Sequence, residues 1–349
     1  MKKPKQVHFS IIIIADILLI GISLCVFALF HHVLIRYDID SGKVNGAATG
    51  MTFPSIHGEE TSASSAIVNY TEPSGSCAVM TSDTSPSDSA AQTTSPDNGD
   101  FTYGEIISDN CSYRSGNISA VLETIVENGH EYFVVDIKVR SMACFATAIA
   151  PEGKKSEYVH VMAEENNAVC AINGDYFGLV KGGTAIRNGC ILSTGAKMDV
   201  CVLYLDGRME IVPRRGFDEN AELEKGAWQA WDFGPSLLDE NGKAIKKFVT
   251  RSDIEGRHPR SAIGYYAPGH YCFVTIGGRK SGHADGVKLE TLAEIFEKLG
   301  CAKAYNLDGG KSAIMTFGDR IVNEEYNGTG RENSDIIYIR EPVIQEGKE

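Results

Sequence analysis

No two of the nine cysteines form a CxxC pair. The chain therefore lacks paired ligands at zinc spacing and a thioredoxin-like redox motif. It also lacks a basic excess: 33 Lys and Arg face 46 Asp and Glu, for a net charge of −13. That balance argues against a nucleic-acid partner, whose phosphates call for a basic patch. A nucleotide loop is missing too, although the stretch NLDGGKSAIM (306–315) imitates one. A Walker loop needs a glycine five positions before Gly310, and that position is Tyr305. Asp308 thus has some other role.

Only one long apolar run occurs, FSIIIIADILLIGISLCVFALF (9–30), and it follows Lys2, Lys3 and Lys5. Roughly twenty apolar residues suffice to cross a bilayer as a helix. Basic residues before the run hold the N-terminus in the cytosol and send the remainder outward. The ALFHHVLIRYD stretch after it shows no small-x-small cleavage site, so residues 1–37 are expected to be a cytoplasmic tail and an uncleaved transmembrane signal anchor. The expected location is a single-pass membrane protein with its main domain extracytoplasmic. Residues 38–100 are rich in Ser, Thr, Asp and Pro without apolar periodicity and are expected to be a disordered tether. This segment has nine acids against Lys43, so −8 of the total charge belongs to it and not to the folded part.

Residues 101–341 are expected to form one strand-rich mixed α/β domain with a mixed sheet and a few covering helices, followed by a tail at 342–349. Strand-like runs include AVLETIVE, YFVVDIKV, CFATAIA, AVCAIN, VCVLYL, SAIGYY, YCFVTIGG, AIMTF and DIIYIR. SEYVHVMAEENN reads as a helix with Ser156 as N-cap. LETLAEIFEKLG places Leu289, Leu292, Ile295, Phe296 and Leu299 on one face and stops at Gly300. Each helix leads into a short strand that ends in an acid, Asp175 or Asp308. Strand ends are where open α/β sheets carry their sites. Cys170, Cys201 and Cys272 lie in apolar runs and are expected to be buried thiols. The spacing allows one or two disulfides and assigns none.

Four stretches carry candidate chemistry: INGDYF (172–177), FGPSLL (233–238), RHPRSAIGY (257–265) and NLDGGKSAIM. A fifth, GGRKSGHADG, contributes Arg279 and His283. Taken singly, Asn-Gly-Asp and Asp-Gly-Gly are ordinary turns. Together, acids beside glycines allow close backbone approach, and arginine forks match phosphate oxygens, which suits an anionic sugar derivative.

In this order the four motifs resemble the phosphodiester glycosidase family, over roughly Ser156 to Arg340. Two departures are Lys311, where members often have a third glycine, and GRENSDIIYI, where members read Arg-Pro-Val-Ser-Asn-Ala. The resemblance implies hydrolysis of a sugar-1-phosphodiester, of the N-acetylglucosamine-1-phosphodiester kind, in a cell-surface or extracellular glycan. Glycosidic cleavage usually needs two carboxyl groups, but a phosphate monoester already leaves well. On this reading Asp308 is the essential base or nucleophile and Asp175 the second carboxylate. Arg260 clamps the phosphate, His258 assists or donates a proton, and Arg279 and Lys311 are supporting cations. Asn173, Gly309, Gly310 and Ser312 bind or orient the substrate. No cofactor is required, though oxygen ligands around Asp308 would suit Ca²⁺ or Mg²⁺. The alternatives are a non-catalytic glycan-binding or exopolysaccharide assembly module, or a metal-dependent phosphodiesterase that cuts the P–O bond.

Overall fold

Two tight turns organise the largest sheet. At Asn128-Gly129 both residues adopt positive φ (50° and 74°), the backbone of a two-residue type I′ hairpin. This turn joins β4 (Ile118–Glu127) to β5 (His130–Val139). A second turn, at Pro268-Gly269, joins β13 (Arg260–Ala267) to β14 (His270–Ile276). With β1 (Val79–Met80), β2 (Ile107–Ser108), β3 (Ser112–Arg114) and β15 (Lys303–Asn306), these strands form an eight-stranded sheet. Its order is β15-β13-β14-β5-β4-β3-β2, with β1 also beside β4. The computed structural model describes residues 53, 56, 79–80, 99–177, 182–250, 252–277, 286–323 and 328–342.

A second sheet has the order β11-β10-β12-β8-β9. It comprises β8 (Ala185–Arg187), β9 (Cys190–Ser193), β10 (Val200–Tyr204), β11 (Met209–Val212) and β12 (Ala227–Trp231). The third, β17-β16-β7-β18-β6, contains β6 (Phe145–Ile149), β7 (Cys170–Asn173), β16 (Met315–Phe317), β17 (Arg320–Ile321) and β18 (Asp335–Ile339). One apolar core joins all three sheets, with Val135, Phe273 and Tyr305 from the first, Leu203, Trp228 and Trp231 from the second, and Phe145, Ile172 and Ile337 from the third. Strands such as β6 and β7 are buried along their whole length, which explains their uninterrupted apolar sequence.

Helices cover the outer faces. The helix α1 (Val159–Glu165) packs Val159, Met162 and Ala163 on the third sheet. The second sheet's outer face is covered beside α2 (Glu219–Glu224), while α3 (Ser252–Glu255) is a single short turn. The longest, α4 (Leu289–Leu299), buries Leu289, Leu292, Ala293, Ile295 and Phe296 against the first sheet. It stops at Gly300 in the left-handed region (φ 79°), as its sequence predicts.

Two expectations are corrected. The sheets are not mixed in the α/β sense: every strand pairing among the described residues is antiparallel except β1 with β4. Parallel neighbours need long crossovers, and hairpin turns and short loops supply antiparallel ones instead. Ser156 does not cap α1. Its hydroxyl donates to Glu332 Oε2 at 2.8 Å, and Tyr158 holds the cap position without a side-chain bond. Within 38–100, Phe53 packs edge-on against Trp228 with ring centres 5.1 Å apart, and Ile56 N–H donates to Arg140 O at 2.9 Å. The apolar run at 9–30 and most of 38–100 lie outside the described residues, among which no helix is long and apolar enough to cross a membrane.

Candidate active site

One buried amide gathers three of the sequence motifs. Asn173, the last residue of β7, is fully buried. Its Nδ2 donates to Asp308 O at 2.7 Å and to Gly174 O at 3.1 Å. Its Oδ1 accepts from Ser261 Oγ at 2.7 Å and from Ile314 N–H at 3.4 Å. The loops after β7, around the start of β13 and after β15 are therefore tied at one point, although their strands belong to two sheets. A polar side chain buried at a strand end persists because all of its hydrogen-bonding capacity is met. The DGG turn lies against HPRS backbone to backbone: Gly310 N–H donates to Pro259 O at 2.9 Å, and a Cβ on Gly309 would sit 2.5 Å from that oxygen. Only glycine fits there. The FGPS loop joins from the side, since Asn306 Nδ2 donates to Gly234 O at 2.8 Å and Tyr305 OH accepts from Phe233 N–H at 3.1 Å.

The two acids occupy different environments. Asp175 has a side chain only 3% exposed. Its Oδ1 accepts from Arg187 Nη2 at 2.6 Å and Phe177 N–H at 3.2 Å, and its Oδ2 from Asp232 N–H at 3.0 Å. Arg187, fully buried, also donates through Nε to Asp335 Oδ2 at 2.8 Å and through Nη1 to the carbonyls of Ile186 and Ala230. Burial pushes the Asp335 carboxyl up to about 6, against the opposing pull of Arg187 and with the charge of Asp175 adding to the rise. Gly174 lies flat on this carboxylate, where a Cβ would stand 2.2 Å from Asp335 Oδ1.

Asp308 faces outward by comparison. Its Oδ1 accepts from Gly309 N–H at 2.9 Å and its Oδ2 from Arg331 Nη2 at 2.8 Å. The Arg331 side chain is 40% exposed, so this ion pair reaches solvent. Arg331 Nε donates to Ser312 Oγ at 2.6 Å, and its guanidinium lies 4.9 Å from the centre of the Tyr176 ring. Burial holds the Asp308 carboxyl above the usual carboxylate range, although Ser312, Arg331 and the Gly309 N–H all oppose that rise. Tyr176 has φ 68°, a left-handed backbone that is uncommon for an aromatic residue. Such strain collects at functional sites, where the surroundings hold it in place. A carboxyl that keeps its proton unusually long, an arginine fork and a hydroxyl thus lie side by side. The set can accept or deliver a proton and neutralise an incoming anion.

The remaining expected residues divide. Ser312 is buried within the Asp308–Arg331 group, and Lys311 is half-buried on the same turn, with its carbonyl accepting from Arg331 N–H at 2.9 Å. Arg260, expected to clamp a phosphate, is instead 3% exposed. Its guanidinium donates to the carbonyls of Val287, Ile254 and Gly256 at 3.1, 2.8 and 2.7 Å. It is a tie holding the loops around residues 254–260 and 287, and burial lowers it to about 10. His258 is half-buried and exchanges backbone hydrogen bonds with Val287 at 3.2 and 2.9 Å. Arg279 and His283 lie outside the described residues. Among the described residues no group of three or more His, Cys, Asp or Glu could hold a metal ion.

Sequence reasoning passed over Arg331, Arg187, Asp335 and Asp232. An arginine inside the short apolar strand AIR needs a buried partner, and an aspartate opening the apolar run DIIYI offers one. Asp232 accepts from the N–H groups of Thr184, Lys197 and Met198 at 2.9, 2.7 and 2.7 Å, holding two loops beside Asp175. Arg331 follows Gly330, whose φ of 70° and whose position, 2.5 Å from Ile314 Cγ1 for an added Cβ, exclude a side chain.

Known proteins resemble this chain in sequence and in fold. A curated relative, the SPbeta prophage-derived uncharacterized protein YomE of Bacillus subtilis strain 168, is 30% identical over 195 residues. That alignment covers 53% of this chain and 30% of the relative, so the chain spans less than a third of its length. The catalytic domain of zebrafish N-acetylglucosamine-1-phosphodiester alpha-N-acetylglucosaminidase, solved as auto-inhibited by its pro-peptide, superposes with a TM-score of 0.51 at 17% identity. It covers 64% of this chain and 83% of that one. A hypothetical protein from Synechocystis superposes with a TM-score of 0.50 at 14% identity, over 67% of this chain and 64% of that one. At these identities the two superpositions bear on the fold alone. The phosphodiester glycosidase family pattern matches residues 166–340, the region that contains Asn173, Asp308 and Arg331. This chain belongs to the phosphodiester glycosidase family.

Proposed function

We propose that the protein hydrolyses a sugar-1-phosphodiester, breaking the bond between C1 and the phosphate oxygen. The observation that carries this reading is the solvent-reaching pair of Asp308 and Arg331, 2.8 Å apart, with Ser312 against the arginine. Arg331 presents a planar fork that matches phosphate oxygens and neutralises the charge that collects on the departing phosphate. Asp308, in its ionised form, acts at C1, either by taking a proton from the attacking water or by bonding to the carbon itself. The C1–O electron pair leaves with the phosphate monoester, and water completes the sugar. Asp175 is a wall of the site, since three donors already occupy its oxygens. Family membership and the activity of the zebrafish enzyme support this substrate class. The N-terminal apolar run and the basic residues before it lead us to place the domain outside the membrane, acting on surface or extracellular glycans.

The test incubates the full chain with a GlcNAc-1-phosphodiester and identifies the products. Free N-acetylglucosamine, lost on Asp308→Asn, is the expected result. Release of sugar phosphate would assign the chemistry to the P–O bond, and undiminished turnover by the variant would remove Asp308 from the reaction.

A further inference from the structure

Behind the first sheet, away from the Asp308 loop, two thiols touch. Cys272 lies in the middle of β14 and is fully buried, while Cys301 follows the left-handed Gly300 at the end of α4 and is 3% exposed. Their sulfurs are 3.7 Å apart, at van der Waals contact. Gly264, paired with Cys272 across β13 and β14, makes this approach possible. A Cβ at 264 would stand 2.6 Å from one sulfur and 2.8 Å from the other. Tyr266 lies beside both thiols, and its ring stacks on His270 with centres 4.2 Å apart. His270 in turn bonds to Asp136 at 2.7 Å.

We infer that Cys272 and Cys301 are the partners of a structural disulfide, formed while the chain folds. A covalent bond needs the sulfurs about 2.0 Å apart. Cys301 lies in the connection between α4 and β15. Cys272 is held by the strands on both sides of β14. The oxidant is a small disulfide or a thiol–disulfide oxidoreductase of an oxidising compartment. One thiolate attacks its sulfur and displaces a thiol, and the second cysteine then displaces the other. Two protein thiols are oxidised, one external disulfide is reduced, and two thiols leave. Burial holds the Cys272 thiol protonated in the folded state, which places the exchange before the core closes. Once made, the bond pins β14 to the segment that leads through β15 to Asp308.

The test unfolds the full chain in reductant and refolds it in a mixture of reduced and oxidised glutathione. Free thiols are then alkylated, and peptides are mapped by mass spectrometry without reduction. A peptide joining Cys272 to Cys301, absent from Cys301→Ala, is the expected result. The oxidised protein should also melt higher than the same sample after reduction of that bond, by on the order of 5 °C. Cys111, itself disulfide-bonded, reports that the redox buffer works, and buried Cys170 reports non-specific oxidation. Alkyl label on both Cys272 and Cys301 while Cys111 is oxidised would overturn the inference. Because the readout is a covalent map of the wild-type chain, a variant that fails to fold does not affect it.

Discussion

The two Gly-Asp turns look alike in sequence, yet they are put to opposite uses. In INGDYF the carboxylate turns inward to a fully buried arginine, which holds a second carboxylate on its other side. In NLDGGKS the carboxylate meets an arginine that is 40% exposed. What separates them is the partner's depth, since burial removes the water that would otherwise compete for the pair. Asp175 and Asp335 brace Arg187 in the interior, and the pair of Asp308 and Arg331 reaches solvent. An acid at a strand end therefore marks a place in the fold without telling which of these roles it has.

Substitutions can break or sharpen this contrast. The largest effect is expected from Asp308→Asn, which should lower turnover of a GlcNAc-1-phosphodiester by about 10³-fold or more. Its melting temperature should stay within a few degrees, because the single amide oxygen can still accept from Gly309 N–H while the 40% exposed Arg331 side chain turns to water. A variant that loses stability but keeps activity would reverse the assignment of the two loops. Arg187→Met should do the converse, removing roughly 3–5 kcal/mol of stability by leaving two buried carboxylates without their partner. Urea unfolding measures it, and a stable Arg187→Met chain would show that the wall does not depend on the triad.

A smaller effect should appear in pH. The folded-state value of Asp335 is raised to about 6, so the native chain binds this proton more tightly than the unfolded one. Its contribution is present in full below the ordinary carboxylate range and fades as pH rises through about 6. Wild type minus Asp335→Asn, compared by urea unfolding from pH 4 to pH 7, should decline over that window by up to a few kcal/mol. A flat difference would remove the proton from Asp335. The smallest change is expected for Arg331→Lys. It should cost about 10-fold to 30-fold in kcat/KM through loss of the planar fork, with stability altered by less than about 1 kcal/mol. Equal activity would show that a point charge is enough at this position.

Much of the framework was legible in the residues. All nine strand-like runs lie on strands, α4 ends at its glycine, and Cys170, Cys201 and Cys272 are buried. The ordered motifs led to the right family and to three loops that meet at Asn173. Pairing direction did not emerge, because strands alternating with helices in sequence also suit a parallel sheet. The role of Arg260 was also misread. An arginine beside a proline and a histidine looks solvated on paper, but three backbone carbonyls enclose it. Arg331 was overlooked because it stands alone in GRENS, with 22 residues between it and the acid it serves.

The sequence by itself determined the periodicity of the strands, the glycines where backbones nearly touch, and the identity of the groups able to do chemistry. These are local properties, set by side-chain shape and by the backbone angles each residue tolerates. Only the tertiary structure decided which cation sits beside which acid and how far each pair lies from water. Both depend on contacts between distant segments, which set Asp175 against a fully buried arginine and Asp308 against one that is 40% exposed.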